Sequence, residues 1–377
     1  MNARNLTCWA VVLAVYGAFL YWGNSEPVTM GRTSQSTWGK LWKRAGAAPV
    51  ALPGQSRKKP QVKRVTPPPP TPPVARRDAE GLIHISGCVS CAAELTPRLQ
   101  RSIRISPQPV DDLKQLPQGA SRLAATPDVP ADFQWPQRKG RPLDLLAQIR
   151  LSDVAGLDED GALPKTGWLY FFCAIGETPP ISGTKPEDRD SWKVVYFDAE
   201  TATLHRTLPP KPLKEEFPPC SVRFWNEWTL PSLAEEPRLL KDDRCWPYYR
   251  DLCAGLTGRP KEPGWHHLAG YAQNITGPMR PTCELASNGI AQSEATDPND
   301  PKVQALVADA EDWVLLLQVE LGALQQLGAD PEELEWAALS SPERIYFWIR
   351  QADLSQRDFS QVWAVRQGFE GEFREDE

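Results

Sequence analysis

From Asn5 to Ser25 the chain carries no charged residue, a run of 21 positions. Its core, LTCWAVVLAVYGAFLYWG from Leu6 to Gly23, spans 18 residues. As a helix it would be about 27 Å long at roughly 1.5 Å per residue, close to the ~30 Å hydrocarbon thickness of a bilayer. An apolar helix of that length must lie in lipid, be cut away, or be buried in a core. Trp9 near one end and Tyr21 and Trp22 at the other suit the headgroup level. A cleaved signal peptide needs a shorter apolar region and small residues at the cut, whereas this run ends in Leu20, Tyr21 and Trp22. The sequence therefore predicts an uncleaved, single-pass anchor at 6–23 behind a short tail at 1–5.

Residues 24–78 are of low complexity, with RKKPQVKRV followed by TPPPPTPPVARR. Consecutive prolines from Pro67 to Pro70, with Pro72 and Pro73, exclude a helix or central strand and favour polyproline II. A disordered, basic spacer is expected, reaching roughly 40 Å as a coil of ~5–6 Å × √n. Positions 1–77 hold 12 Lys/Arg against one Asp/Glu, and the remainder holds 30 against 47. A basic leader beside a bilayer lies against anionic lipid. The acidic body argues against nucleic acid as a partner, because phosphate neutralisation needs clustered Lys and Arg.

The side of the membrane is read from two opposed signals. Arg32, Lys40, Lys43 and Arg44 follow the run and by the positive-inside tendency would keep the body in the cytoplasm, although long domains escape that tendency. Six cysteines, Cys88, Cys91, Cys220, Cys245, Cys253 and Cys283, fall in polar, loop-like stretches. An even set of that kind suits disulfides in an oxidising compartment. Cys173, inside WLYFFCAI, reads as a buried free thiol. On the cysteines, the globular part at 79–377 is expected outside the cytoplasm, with the cytoplasm as the other option.

Within that part, DLLAQIRL, GWLYFFCAI, WKVVYFD and IYFWI are runs of strand type. ELTPRLQRSIR, RCWPYYRDLCAGL and KVQALVADA are helical in pattern, WVLLLQVEL is an apolar run, and 201–265 is otherwise irregular. FSQVWAVRQ could be either helix or strand. LLAQI then GWLYFF in the first half parallels LLLQV then RIYFWI in the second. The expected fold is α+β, with mixed sheets in two related lobes produced by an internal duplication.

Several stretches also resemble the YwqG-like family of bacterial proteins, a domain of unknown function. They are VPADFQWPQRKGRPLDLLAQIRL, ALPKTGWLYFF, WTLPS, HHLAGYAQNITGPM, WVLLLQVE and IYFWIRQADLSQRDFSQVW, which together extend over about 115–369. The family tends to have a Gly-Gly turn where this chain has Ala124-Ala125, and a Trp-Gly-Asp type of turn where it reads SSPER. The resemblance implies an α+β fold with an internal duplication. It implies no reaction, cofactor or catalytic residue.

The residues themselves offer little chemistry. HExxH, GxSxG, P-loop and GxGxxG patterns do not occur. Cys88 and Cys91 form a CxxC with His84 four residues earlier. This can be a structural disulfide or inert thiols, a redox pair, or three zinc ligands lacking a nearby fourth. His266 and His267 are adjacent, so in an extended chain they face opposite ways. DEDG (158–161) reads as a turn, and Asp353, Ser355 and Asp358 read as capping residues before they read as an acid–base pair. Gln148 and Gln318 recur in the paired apolar runs. A buried amide without partners costs about 1–3 kcal/mol, so each glutamine either satisfies backbone at a strand edge or lines a pocket between lobes. The expected function is a membrane-tethered, non-catalytic binding domain with a protein partner and no cofactor or metal. The alternatives are an enzyme of unrecognised class with a pocket between the lobes, and a thiol or metal protein centred on Cys88 and Cys91.

Overall fold

In the computed structural model the described residues are 74–368, except 111, 125, 178–179, 199–202, 214–216, 258–265, 296, 298, 326 and 328–341. The expected anchor at 6–23 and the spacer up to residue 73 lie outside them. Among the described residues no helix is long and apolar enough to cross a membrane.

The chain enters through helix α1 (Arg76–Ile85) and the short α2 (Ala92–Leu95), then the long strand β1 (Gln100–Pro109). Next come β2 (Arg122–Leu123), β3 (Asp128–Pro130), β4 (Gln137–Arg138), β5 (Arg141–Pro142), β6 (Asp144–Arg150), β7 (Trp168–Cys173), β8 (Trp192–Phe197) and β9 (Leu204–Arg206). After β10 (Cys220–Thr229), α3 (Trp246–Thr257) and β11 (His267–Leu268) lie α4 (Arg280–Ser287) and α5 (Pro301–Asp309). Strand β12 (Trp313–Glu320), α6 (Leu321–Gln325), β13 (Glu343–Arg350), α7 (Gln351–Ser355) and β14 (Trp363–Gly368) complete the order.

Two sheets carry the fold. One has six strands in the order β10-β1-β11-β12-β13-β14, the other four in the order β2-β6-β7-β8. The fold is α+β, but the expectation of mixed sheets is corrected: the strand pairs among the described residues are antiparallel. Strands β7, β12 and β13 are nearly continuous apolar runs because both of their faces are covered. Trp168 to Cys173 are buried without interruption, as are Leu315 to Glu320. Phe171 and Phe347, one from each sheet, meet edge to face at 5.2 Å between ring centres, which places the main core between the sheets.

Two sequence expectations fail locally. The helix read into ELTPRLQRSIR stops at a tight turn over Thr96–Arg98, where Pro97 has no N–H to give. From Gln100 the period becomes two. Ile103 and Ile105 enter the main core, while Ser102 and Arg104 on the other face are equally buried and bonded to Glu227. Strand β10, expected as irregular chain, pairs with β1 over ten residues, from Gln100↔Thr229 to Pro109↔Cys220. Its inward Glu227 hides the alternation that marks a strand. FSQVWAVRQ resolves into a turn at Phe359–Gln361 and then β14.

The same local geometry occurs twice. Strand β6 bulges between Leu145 and Ala147 and then sets Gln148 opposite Tyr170. Strand β12 bulges between Leu315 and Leu317 and sets Gln318 opposite Tyr346. Each strand also receives a two-residue strand, Arg122↔Gln148 in one case and His267↔Gln318 in the other. Each short strand is followed by an alanine in the left-handed region, Ala124 at φ 55° and Ala269 at φ 56°. Six residues after the short strand begins, the chain is pinned by both backbone groups. Asp128 N–H donates to Gln148 Oε1 at 2.7 Å, and its carbonyl accepts from the Tyr170 hydroxyl at 2.6 Å. Gln273 N–H donates to Gln318 Oε1 at 2.9 Å, and its carbonyl accepts from the Tyr346 hydroxyl at 2.7 Å.

Candidate functional site

A cleft of about 460 Å³ opens where the loop after β6 approaches Ala269 and α7. One wall is the turn around Asp158, whose carboxylate accepts from the N–H groups of Ala162 and Leu163 at 3.1 and 2.7 Å. That turn projects Glu159 and Asp160. Arg101, on β1, pairs with Glu159 at 2.9 Å. The opposite wall carries Gln351, Ser355 and Arg357. The Ser355 hydroxyl donates to the Gln351 carbonyl at 2.8 Å. Ile103, Leu157, Leu163 and Leu354 add apolar surface. Arg357 stands at φ 59°, a left-handed conformation costly for a residue with a Cβ. With Ala269 it makes two such residues on one cleft. Among the described residues, the side chains of Asp160 and Arg357 hold no ion pair or hydrogen bond, so the cleft offers one unspent charge of each sign.

Away from the cleft lie three buried charge clusters. Arg122 and Asp128 are fully buried as a pair, and Arg206 adds a second contact to Asp128 at 2.9 Å. Burial alone would raise the Asp128 carboxyl, but the bond to Arg206 and the nearby Arg122 outweigh it and hold it below the usual range. Burial lowers the Arg122 guanidinium. In the second cluster Glu320 pairs with Arg344 at 2.6 Å and accepts from the Glu343 N–H. Here burial prevails over Arg344, and the Glu320 carboxyl is raised. The third joins Arg104 to Glu227 at 3.2 Å, with the Arg104 guanidinium also donating to the Thr257 carbonyl. None of these groups lines the cleft.

The residues singled out in the sequence are distributed differently from that reading. Gln148 and Gln318 do not line the cleft. Both are fully buried, and each accepts from a backbone N–H. Their amide oxygens hold main-chain N–H groups of neighbouring segments. His84 is exposed on α1 whereas Cys88 and Cys91 are fully buried. Among the described residues, no group of three or more His, Cys, Asp or Glu is placed to hold a metal ion, so these three do not assemble as ligands.

Three of the six loop-like cysteines lie in regular elements instead, while Cys88, Cys91 and Cys245 sit at short turns. Cys220 opens β10, Cys253 lies in α3 and Cys283 in α4, and all seven described cysteines are free thiols. Burial pushes Cys173, Cys220 and Cys253 up to about 12. His266 and His267 are both buried. His266 Nδ1 accepts from the Glu320 N–H at 3.1 Å, and His267 Nδ1 lies 2.9 Å from the Ala269 carbonyl. Asp358 caps the turn after α7 by accepting from the Ser360 N–H. Arg101 and Arg357 carried no signal in the sequence, since a single arginine in a polar stretch marks nothing. Ser355 was visible only as a capping candidate.

Residues 121–367 match the family model of a domain of unknown function, DUF1963. The chain belongs to that family. No curated protein matches it. The matched range opens at β2 and closes in β14, so the DUF1963 region contains both copies of the repeated geometry. It contains the Asp158 turn, Ala269 and α7, hence most of the cleft. Helices α1 and α2 and strand β1 precede it, and Arg101 of the cleft comes from that preceding strand.

Proposed function

We propose that this chain is a membrane-tethered, non-catalytic binding module of the YwqG-like kind whose cleft takes a polypeptide segment carrying both charges. The observation that carries the reading is the cleft itself. It joins Asp160 and Arg357, both unspent, to apolar surface from Leu157 and Leu354, and two of its non-glycine residues sit in left-handed backbone. A peptide supplies the complementary charges, backbone groups for Gln351 and Ser355, and side chains for the apolar surface. The tether rests on the uncharged run at 5–25 and the basic, proline-rich stretch behind it. We place the folded part outside the cytoplasm. The matched bulges, the left-handed alanines and the Gln/Tyr pins support an internal duplication of one unit.

A photoreactive residue at exposed Ser355, in the full chain expressed in cells, tests the cleft. A discrete protein adduct is expected, lost on Asp160→Lys or Arg357→Glu. Labelling no different from that of a probe at exposed His205 would remove the cleft as the binding surface. The tether is tested separately. Alkaline extraction should leave the full chain in the membrane pellet and release a variant lacking 6–23, and release of the full chain would refute it.

A further inference from the structure

Helices α1, α2 and α3 form a helical cap with its own apolar cluster, in which Cys88, Cys91 and Cys245 are fully buried and Cys253 packs at the margin. Cys173, Cys220 and Cys283 belong instead to the core between the sheets. Within the cap the thiols do not pair as the CxxC spacing suggests. Cys88 Sγ points at the Cys245 carbonyl, 3.6 Å away. Cys91 Sγ and Cys245 Sγ stand 2.8 Å apart across 154 positions of sequence, less than an ångström beyond the about 2.05 Å of a covalent S–S bond. The Ser90 hydroxyl lies 3.1 Å from Cys245 Sγ. Val89, Ser90 and Trp246, the sequence neighbours of these thiols, are exposed, so the pair lies one residue below the surface.

We infer that Cys91 and Cys245 are a thiol–disulfide couple fastening the N-terminal helices of the cap to the segment that leads into α3. The CxxC is then half of the site rather than the whole of it. The oxidant is a disulfide, RS–SR, either a small molecule or a protein. One cysteine thiolate attacks a sulfur of RS–SR and expels RS⁻, giving a mixed disulfide. The second thiolate attacks the protein sulfur of that mixed disulfide and expels the other RS⁻. Two electrons pass from the protein sulfurs to the oxidant, and the two protons leave with two RSH. Burial raises the Cys91 thiol, so the exchange waits on opening of the turn at 88–91 or takes place while the chain folds. The closed loop is long, and constraint of the unfolded chain grows with loop length. Cys245 lies inside the DUF1963 match and Cys91 before it, so the bond would tie the family domain to a segment the family model does not include.

The full chain, equilibrated across glutathione redox buffers, unfolded in acid and alkylated, tests this. Of its eight cysteines, two should lose alkylation together as one two-electron couple. In a Cys88→Ser variant the peptide bearing Cys91 should be recovered joined to that bearing Cys245. Reduction should lower the melting midpoint by roughly 5 °C. Cys245→Ser should melt like the reduced protein and ignore the buffer, whereas Cys88→Ser should keep the response. Eight alkylated thiols in excess oxidised glutathione would overturn the inference. So would a Cys88–Cys91 bond in the wild-type map, or a redox response surviving in Cys245→Ser. Should Cys245→Ser fail to fold, the wild-type peptide map decides alone.

Discussion

Asp128 shows how much one carboxylate can hold. It accepts from the Gly119 N–H and pairs with Arg122 and Arg206, and it is fully buried together with Arg122. Removing one partner of a buried pair leaves a charge without compensation, which costs about 3–5 kcal/mol. Asp128→Asn should lose about that much in chemical denaturation at pH 7. Its pH dependence has a definite sign. The folded carboxyl lies below its ordinary 3.8, so the unfolded chain binds the extra proton. The stabilisation is therefore present above that value and lost as the pH falls through the folded one. The wild-type advantage over Asp128→Asn should shrink in melts taken from pH 5 downward, and an advantage constant to pH 2 would exclude this account. Glu320 runs the other way. Its folded carboxyl is raised above 4.5, so its contribution is complete below that value and declines as the pH rises through the folded one. Cys173 and Cys220, held up to about 12, should resist maleimide at pH 8 until the protein is unfolded.

At the level of elements, the open edge of β14 is partly covered by residues 181–184. The Arg366 N–H donates to the Ser182 carbonyl, and the Trp363 indole donates to the Gly183 carbonyl at 2.8 Å. Gly183 stands at φ 76°, and a Cβ there would run into the Ala364 carbonyl oxygen. Gly183→Ala should cost at least about 2 kcal/mol through strain and displaced backbone, read as a lower urea midpoint. Gln148→Leu and Gln318→Leu each remove the acceptor of one buried N–H. Each should cost about 1–3 kcal/mol, and similar amounts, because the two environments match. These strands were legible from residue order, since WLYFF, LLLQV and IYFWI are apolar on both faces. Strands β1 and β10 were not. Their buried faces carry Ser102, Arg104 and Glu227, and burial pays for polar side chains only when the partner strand supplies bonds, which one segment alone does not reveal. The cleft was illegible for a related reason: it gathers Arg101, Asp160 and Arg357 from three distant stretches.

Across the whole molecule, the described residues from Val74 to Gly368 belong to one compact unit, and the first of them is tied in. The Val74 carbonyl accepts from the Trp228 indole at 2.8 Å, and the guanidinium groups of Arg76 and Arg101 lie over that ring. Deleting 1–61 should therefore leave the melting midpoint within about 1 °C of the full chain, and a larger drop would mean that the leader contributes to the fold. In the two matched stretches, a glutamine and a tyrosine hold the main chain of residues 128 and 273. Position 128 carries an anion that gathers two arginines and position 273 a neutral amide, so two stretches held in matching backbone geometry differ in electrical character.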